Sequence, residues 1–190
     1  PDRPLLTRPD LIDPQDHNGG IIIVGSHVNK TTRQMEALRQ CRCPLEFIEF
    51  NQHLVLQPGG LADETARVSA LADQLIGQGH TVAVYTRRDR FDLPGGAGPE
   101  EQLRVSTEIS DAVSAIVSNL TLRPSFLIAK GGITSSDVGT KALRVYRASV
   151  MGQVLPGIPV WKTGQESKFP GLPYIIFPGN VGDDQSLRII

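Results

Sequence analysis

Apolar residues recur along the chain in two alternating patterns. Short apolar runs rich in β-branched residues are typical of buried strands and stand at 21–24, 46–50, 81–85 and 126–129. Segments with apolar residues three or four apart predict helices at 31–40, 61–78 and 105–120, and a further helix is predicted at 137–146. The remainder is strand-rich, with predicted strands at 148–154, 159–161 and 174–177. Thr31 and Gln34 have the spacing of a capping box in the first helix.

This alternation of strands and helices decides the fold class. It predicts right-handed crossovers, and therefore an α/β layered sandwich in which helices cover a mostly parallel or mixed sheet. The strand-rich C-terminal portion is expected to add antiparallel strands. Residues 1–18 hold four prolines among charged neighbours and are interpreted as a linker or terminal arm, and residues 19–190 as one domain. Charged residues and glycines at 87–102 predict a long mobile loop.

The composition excludes several classes of protein. The 190 residues are 39% hydrophobic and 21% charged, which excludes a fully disordered chain. The net charge of -1 argues against a general nucleic-acid binder, because counterion release needs clustered Lys and Arg. No apolar run approaches the roughly 18 residues of a membrane span, and no signal-peptide pattern is present. We expect a cytoplasmic protein with neither nucleic acid nor membrane as a partner, and interpret the start at Pro1 as a piece of a longer protein.

Cys41 and Cys43 are separated by a single residue, a spacing at which disulfide geometry is demanding. We therefore expect two free thiols, which fits a reducing cytoplasm. Half of a zinc site is the alternative, but no second Cys or His pair completes it. The histidines show no ligand spacing and are expected at surface or turn positions; they are His17, His27, His53 and His80.

Three loops of the sequence share one design. Each follows an apolar strand, contains glycine, and carries hydroxyl or amide side chains before a helix; they stand at 25–26, 131–136 and 179–182. In an α/β sheet, ligands bind at the carboxyl ends of the strands. Glycine lets a phosphate approach the backbone, and the free N–H groups at a helix start favour an anion. The three loops together predict a polyphosphate site, whereas any one of them alone is explained by ordinary turn and N-cap chemistry.

Charged residues beside these loops are candidates for chemistry. Lys130 ends a buried strand next to the glycine pair, where it would contact a phosphate as a point charge or extend into solvent from the sheet edge. Asp183 and Asp184 are predicted to begin the last helix. Asp183 is our catalytic candidate, because it could position magnesium or accept a proton from a substrate hydroxyl, and the alternative is a helix cap.

Other residues are candidates for metal or nucleotide binding. Glu166 is a possible metal ligand, and Trp161 and Phe169 would line a base pocket or belong to the core. Lys30 and Thr31 superficially match the end of a Walker loop, but the required glycines are missing. The glycines at 95–98 do not follow a strand, so they do not form a dinucleotide fingerprint, which disfavours a dehydrogenase-like domain.

Four segments together resemble a known family. GGITSSDV at 131–138, GQVLPG at 152–157 and FPGNVGD at 177–183 resemble motifs of the four-carbon acid sugar kinase family, and GSHVNKTTRQ at 25–34 is similar to its first nucleotide-loop region. The resemblance runs from about Gly20 to the C-terminus with ordered spacing. It identifies the chain as similar to the C-terminal nucleotide-binding domain of that family.

The resemblance implies a two-domain kinase in which an N-terminal domain, missing from this chain, holds the acid sugar. Such enzymes phosphorylate threonate, erythronate or 3-oxo-tetronate on the terminal hydroxyl. The implied cofactors are ATP and Mg²⁺. The ATP contacts that the resemblance implies are Ser26, Gly132, Gly179, Asn180, Val181 and Gly182. Thr134 and Ser135 are added to this set because they are close neighbours in sequence.

We therefore expect the chain to bind ATP with its glycine loops and to be inactive as a kinase without the substrate domain. Phosphoryl transfer depends on positioning and charge neutralisation, which suits a site built from loops rather than from a nucleophile triad. The rival hypothesis is a non-catalytic module that binds a nucleotide or a phosphorylated metabolite without turnover.

Overall fold

The computed structural model describes residues 4–89, 93 and 95–190, in which seven strands form one mixed sheet. The strands are β1 (Ile21–Val24), β2 (Leu45–Phe50), β3 (Thr81–Thr86), β4 (Leu127–Lys130), β5 (Ala148–Leu155), β6 (Ile158–Thr163) and β7 (Pro173–Phe177). Their order is β2-β3-β1-β4-β7-β6-β5. The first five in this order run parallel, and β6 and β5 are antiparallel. The predicted fold class and the antiparallel C-terminal portion are confirmed.

Helices cover both faces of the sheet. They are α1 (Arg8–Leu11), α2 (Asn29–Leu38), α3 (Gly60–Gly77), α4 (Pro99–Asn119), α5 (Gly132–Asp137) and α6 (Ser186–Ile189), with a 3₁₀ helix at Gln52–Leu56 and a π-helical segment at Val138–Ala142. The long helices predicted from apolar spacing are confirmed as α2, α3 and α4. No helix in the described ranges combines the length and the apolar character needed to cross a bilayer.

Some predicted boundaries are wrong. α4 begins at Pro99, so the connection predicted at 87–102 is shorter; its residues 90–92 and 94 lie outside the described residues. α5 begins at Gly132 rather than at 137, because Gly131, with a φ of 121°, turns the chain directly after β4. The predicted capping box is also wrong, since α2 begins at Asn29 and its Thr31 and Gln34 bond elsewhere.

The strands are buried on both faces, which explains their unbroken apolar runs. Ile21 and Ile23 face one core, formed with α3 and α4. Ile22 and Val24 face the other, formed with α2 and α6. Every residue of β1 is at most 3% exposed. The core therefore requires apolar residues in succession rather than in alternation.

This division of the helices positions the site. The chain leaves β1 towards the face of α2, whereas it leaves the neighbouring strands β3 and β4 towards the face of α4 and α5. The segments that follow these adjacent strands therefore diverge to opposite faces of the sheet. They leave a crevice at the carboxyl ends of the strands, which is where α/β proteins bind ligands. β4 lies between β1 and β7, so the loops that follow these three strands are neighbours.

The described part of the N-terminal arm packs on the domain. The Leu6 N–H donates to the Gln153 carbonyl of β5 at 2.8 Å. The Asn18 amide donates to the Arg123 carbonyl at 2.8 Å. The arm therefore contacts the domain at Leu6 and at Asn18, while its role as a linker stays a prediction.

The two cysteines are bonded to each other, which corrects the expectation of free thiols. The bend between α2 and β2 brings the Cα atoms of Cys41 and Cys43 to 5.4 Å, within the range that disulfides span. One intervening residue is therefore enough to close this ring, and neither sulfur is available as a zinc ligand.

Candidate functional site

The loops after β1, β4 and β7 meet at Ser26. A Cβ added to Gly179 would lie 3.3 Å from the Ser26 Oγ, and a Cβ added to Gly131 would lie 3.3 Å from the Ser26 Cβ. A Cβ on Gly25 would overlap the Thr134 hydroxyl. We call these five residues the cradle. The glycines permit this close approach, because any side chain at these positions would fill the space between the loops.

The start of α5 forms one wall of the cradle. Gly132 is exposed, and a Cβ there would meet no atom within 4 Å. The Ser135 hydroxyl is buried and donates to the Ala129 and Gly131 carbonyls at 2.8 and 2.7 Å. Ser135 therefore holds α5 against β4, and its side chain does not face the cradle.

The loop after β7 is fixed from beneath by α2. The Lys30 ammonium donates to the Asn180 carbonyl at 3.2 Å. The buried Gln34 amide donates to the carbonyls of Val181, at 3.2 Å, and Asp183, at 2.8 Å. Sequence reasoning missed Lys30 and Gln34 as site residues, although their position at the start of the helix after β1 was a usable indication.

Gly182 and Val181 shape the same loop. Gly182 adopts a φ of 79°, which only glycine adopts without strain. Val181 packs against the core that faces α2 and α6. The predicted segment 179–182 is thus a fixed turn that begins in the cradle, where Gly179 lies close to Ser26.

Lys130 is completely buried at the end of β4. Its ammonium donates to the carbonyls of Pro178, at 2.7 Å, and Gly179, at 3.2 Å, and lies 3.8 Å from the centre of the Phe177 ring. The alternative that this side chain extends into solvent is wrong. Burial, and then the positive charge of Lys30, lowers the pKa of Lys130 to about 8.

Arg88, after β3, fixes the loop after β1. Its guanidinium donates to the Ser26 carbonyl at 2.6 Å and to the Thr32 hydroxyl at 2.7 Å. The Thr31 hydroxyl donates to the Ser26 Oγ at 3.0 Å. Ser26 is therefore held by both its backbone and its side chain. Sequence reasoning missed Arg88, because the contact joins two loops that are distant along the chain.

A cleft of about 570 Å³ opens beside the cradle, on the side of β3. Gly25 and Thr134 belong to both. His27 lies at the cleft with its Nε2 3.1 Å from the Thr86 hydroxyl. Burial, and then the charge of Arg88, lowers the pKa of His27. The far wall is α4, which contributes Ser106, Ile109, Ser110, Val113 and Ser114.

Asp183 lies next to Gly182 but does not begin a helix. Its carboxylate accepts hydrogen bonds from the Gln185 N–H and the Ser186 hydroxyl, each at 2.9 Å. α6 begins only at Ser186, because Asp183 closes a turn ahead of it. Asp184 is paired with Arg33 at 2.9 Å. The helix start predicted at these two aspartates is corrected.

Glu166 is not part of the site. Its carboxylate accepts the N–H groups of Tyr146, at 3.1 Å, and Arg147, at 2.7 Å. Backbone N–H groups, its own first and then that of Arg147, hold the pKa of Glu166 below its usual value. Because β6 runs antiparallel to β7, Glu166 lies at the opposite edge of the sheet from the cradle. Within the described ranges, no three His, Cys, Asp or Glu side chains are grouped to hold a metal.

Trp161 and Phe169 are core residues. Phe169 is buried in the core beneath α3 and α4, and Trp161 packs against the same core. Neither lines the cleft beside the cradle. The base-pocket interpretation of these two aromatic residues is therefore wrong, and the core interpretation is confirmed.

The family model of a nucleotide-binding C-terminal domain matches residues 21–187. A crystal structure of a domain of unknown function (DUF1537) from Bordetella bronchiseptica, a domain-swapped dimer with bound citrate, has a TM-score of 0.68 at 19% identity. The match covers 90% of this chain and 41% of that chain.

A second solved structure, a protein from Salmonella typhimurium LT2 described provisionally as a tRNA synthase, has a TM-score of 0.62 at 19% identity. The match covers 90% of this chain and 39% of that one. The chain thus spans about two fifths of the length of these structures, and the likeness shows a shared fold. No curated protein matches the sequence. The family match bears out the resemblance drawn from the motifs: the chain belongs to the nucleotide-binding C-terminal domain family.

Proposed function

We propose that the cradle binds the triphosphate of ATP. In this proposal the chain is the nucleotide-binding part of a kinase that phosphorylates a four-carbon acid sugar on its terminal hydroxyl. One observation carries the proposal: Ser26 lies close to the glycines of the loops after both β4 and β7, and the buried Lys130 bonds to the second of these loops. Membership of the nucleotide-binding family supports the same ligand class.

The residues around the cradle suit a polyphosphate. Gly132 faces open space, so an anion can approach the backbone at the start of α5. Lys30 and Lys130 bring two positive charges to the loop after β7. Asp184, the nearest carboxylate after Asp183 in this loop, is already paired with Arg33. The site therefore favours negative charge in the ligand.

Magnesium fits this site only as an ion carried by the nucleotide. The described residues provide no cluster of metal-ligating side chains, and Mg²⁺ commonly relies on substrate phosphates plus one or two carboxylates. Asp183 is our candidate for that carboxylate, or for the acceptor of the hydroxyl proton. Magnesium ATP, when bound, supplies the phosphoryl group and neutralises its charge.

The role of this chain in the reaction would be positioning. Arg88 and Thr31 fix Ser26, and Lys130 fixes Gly179, so that the cradle is rigid before a ligand arrives. Lys130 carries its positive charge below a pH of about 8 and would attract the phosphates from beneath. In this proposal a separate substrate domain would bring the acceptor hydroxyl in line and exclude water.

Thermal melting of the 190-residue chain tests nucleotide binding. A ligand at a hundred times its Kd stabilises the native state by about 2.7 kcal/mol. We expect magnesium ATP and magnesium ADP to raise Tm and NAD to leave it unchanged. A folded sample that shows no shift with either adenine nucleotide contradicts the proposal.

A glycine variant tests the location of the site. Gly132 faces open space, so Gly132→Val should fold, and its side chain should obstruct a ligand at the start of α5. Gly98→Val is the matched control, because Gly98 also faces open space, at the start of α4. Weakened ATP binding in the first variant alone supports the proposal; unchanged affinity in both makes Gly132 only a turn glycine.

Turnover is tested separately from binding. We expect phosphorylation of a tetronate only when an acid-sugar domain is joined to this chain. Turnover by the chain alone would contradict the assignment of the substrate to another domain. ATP binding that never leads to turnover, even with that domain present, would favour the non-catalytic module.

A further inference from the structure

We infer that the cleft between β3 and α4 is the pocket for the nucleobase and ribose, and that the Ser114 hydroxyl binds a polar atom of this nucleoside. The inference rests on the proposed function, since it places the triphosphate of the same ligand in the cradle. It assigns a base pocket to residues of α4, which no sequence motif marks, together with Ile133 and Thr134 of the GGITSSDV segment.

The cleft and the cradle are continuous. Gly25 and Thr134 touch each other in the cradle and also line the cleft. A ligand with its anionic tail at Ser26 therefore extends past these two residues into the cleft. The volume of about 570 Å³ is within the usual range of small-molecule sites.

The walls of the cleft fit a planar base better than a small sugar acid. Ile109 and Val113 of α4 and Ile133 of α5 form apolar surface inside it. Ile133 is 74% exposed, so an apolar ligand face would cover surface that now meets water. A four-carbon acid has a polar group on nearly every carbon and gains little from such walls. A heteroaromatic base has apolar faces and a polar edge, which is the composition that these walls match.

Ser114 provides the independent observation. It lines the cleft, is only 2% exposed, and its Oγ has no hydrogen-bond partner among the described residues. A buried hydroxyl without a partner is unfavourable in the free protein. Other polar side chains of the cleft are engaged: Ser110 donates to Asp137, and Gln52 bonds to the Arg87 backbone. A ligand atom that pairs with Ser114 would remove this cost.

A variant whose side chain fills the cleft tests the base pocket separately from the cradle. Ser106 is exposed on α4 and lines the cleft, so Ser106→Trp should block it without disturbing the core. Ser118 is exposed on the same helix outside the cleft, and Ser118→Trp is the matched control. Binding of ATP, inorganic tripolyphosphate and D-threonate is measured by calorimetry on each protein. We expect Ser106→Trp to lower the affinity for ATP by at least about tenfold and to change the affinity for tripolyphosphate by no more than about twofold.

The outcomes distinguish the two proposals. If the wild type binds neither ATP nor tripolyphosphate, the proposed function fails, and this inference fails with it. If the wild type binds both, and Ser106→Trp weakens ATP no more than Ser118→Trp does, the inference alone is overturned. If Ser106→Trp loses D-threonate binding but keeps ATP binding, the cleft is a site for the acid, and the inference is also overturned.

Ser114→Ala tests the hydroxyl itself. Removing an unpaired buried hydroxyl should leave the Tm of the unliganded protein unchanged or slightly higher. Losing a hydrogen bond to the ligand should lower the affinity for ATP by about threefold to tenfold and leave the affinity for tripolyphosphate unchanged. A lower Tm together with unchanged ATP affinity would show that Ser114 is structural and would overturn its assignment.

Discussion

Ser26 and Gly179 approach each other closely across the end of β4: a Cβ added to Gly179 would be 3.3 Å from the Ser26 Oγ. The two residues follow β1 and β7, which flank β4 in the sheet. Their loops therefore close over Lys130, which ends the strand between them and bonds to the Gly179 carbonyl at 3.2 Å. This close approach joins the loops after β1 and β7, from the two ends of the domain, into one surface.

Gly179→Ala is expected to weaken ATP binding while preserving the fold. The added methyl group meets Ser26 at a distance tighter than ordinary contact, so the serine must shift by a few tenths of an ångström. We expect ATP affinity to fall about tenfold and the free energy of unfolding to fall by less than about 1 kcal/mol. Calorimetric titration and urea denaturation measure the two effects.

The control for this variant is Gly98→Ala, at the start of α4. A Cβ there meets open space, so neither ATP affinity nor stability should change beyond about 0.5 kcal/mol. An unchanged affinity in Gly179→Ala would show that no ligand group needs the space between Gly179 and Ser26.

Lys130 should make the stability of the free protein rise with pH above about 8. Burial lowers the pKa of its ammonium from 10.5 to about 8. Between these values the unfolded chain binds a proton at this residue that the native state has lost, so the free energy of unfolding increases with pH. Below pH 8 the lysine is protonated in both states, and this contribution is absent.

The measurement is urea denaturation between pH 7.5 and 10 for the wild type and Lys130→Met. Methionine fills a similar volume without a charge, so the difference between the two curves isolates Lys130. ATP binding by the wild type should weaken over the same range, because Lys130 next to the cradle loses its positive charge. Parallel stability curves for the two proteins would contradict the assigned titration.

The sheet was predictable because strands buried on both faces consist of unbroken runs of apolar residues. Ile21 to Val24 are all apolar, and so are the first three residues of β4. Parallel strands place the following loops at one edge, so the meeting of the loops near Ser26 and Gly179 follows from the strand order. The pattern does not contain that order itself, which depends on how the helices divide between the faces.

Contacts between distant segments were not predictable. Arg88 reaches Ser26, and Lys30 reaches the Asn180 carbonyl, only because the loops fold together. No local pattern distinguishes these cations from surface ones. The start of α5 was missed for another reason: the backbone conformation of Gly131, not side-chain periodicity, begins that helix.

Arg88→Lys is expected to weaken ATP binding although the charge is retained. The guanidinium donates from two nitrogens, one to the Ser26 carbonyl and one to the Thr32 hydroxyl. A lysine ammonium is a point donor and cannot reproduce this fork. We expect ATP affinity to fall about fivefold and stability to fall by about 1 kcal/mol.

Arg104→Lys is the matched control for this substitution. Arg104 lies on α4 with a side chain that is 60% exposed and pairs with Glu108. Exposed ion pairs contribute little, so this variant should match the wild type within about 0.5 kcal/mol. Equal effects of the two substitutions on ATP affinity would show that the fork at Ser26 has no part in binding.

Tyr174→Phe is expected to destabilise the fold by about 1–2 kcal/mol, because it removes a buried hydrogen bond. The Tyr174 side chain is 1% exposed, and its hydroxyl donates to the Ser135 carbonyl in α5. Burial also raises the pKa of this phenol, so the donor keeps its proton at ordinary pH. Urea denaturation measures the loss.

Tyr146→Phe gives the comparison, because Tyr146 is 82% exposed and its hydroxyl faces water. Its stability should stay within about 0.5 kcal/mol of the wild type. Tyr174→Phe should also lower the affinity for ATP by a few-fold. The Tyr174 hydroxyl holds Ser135, and Ser135 ties α5 to β4 beside the cradle. If Tyr174→Phe loses stability but binds ATP like the wild type, α5 keeps its position without this bond, and the predicted link between Tyr174 and the cradle is wrong.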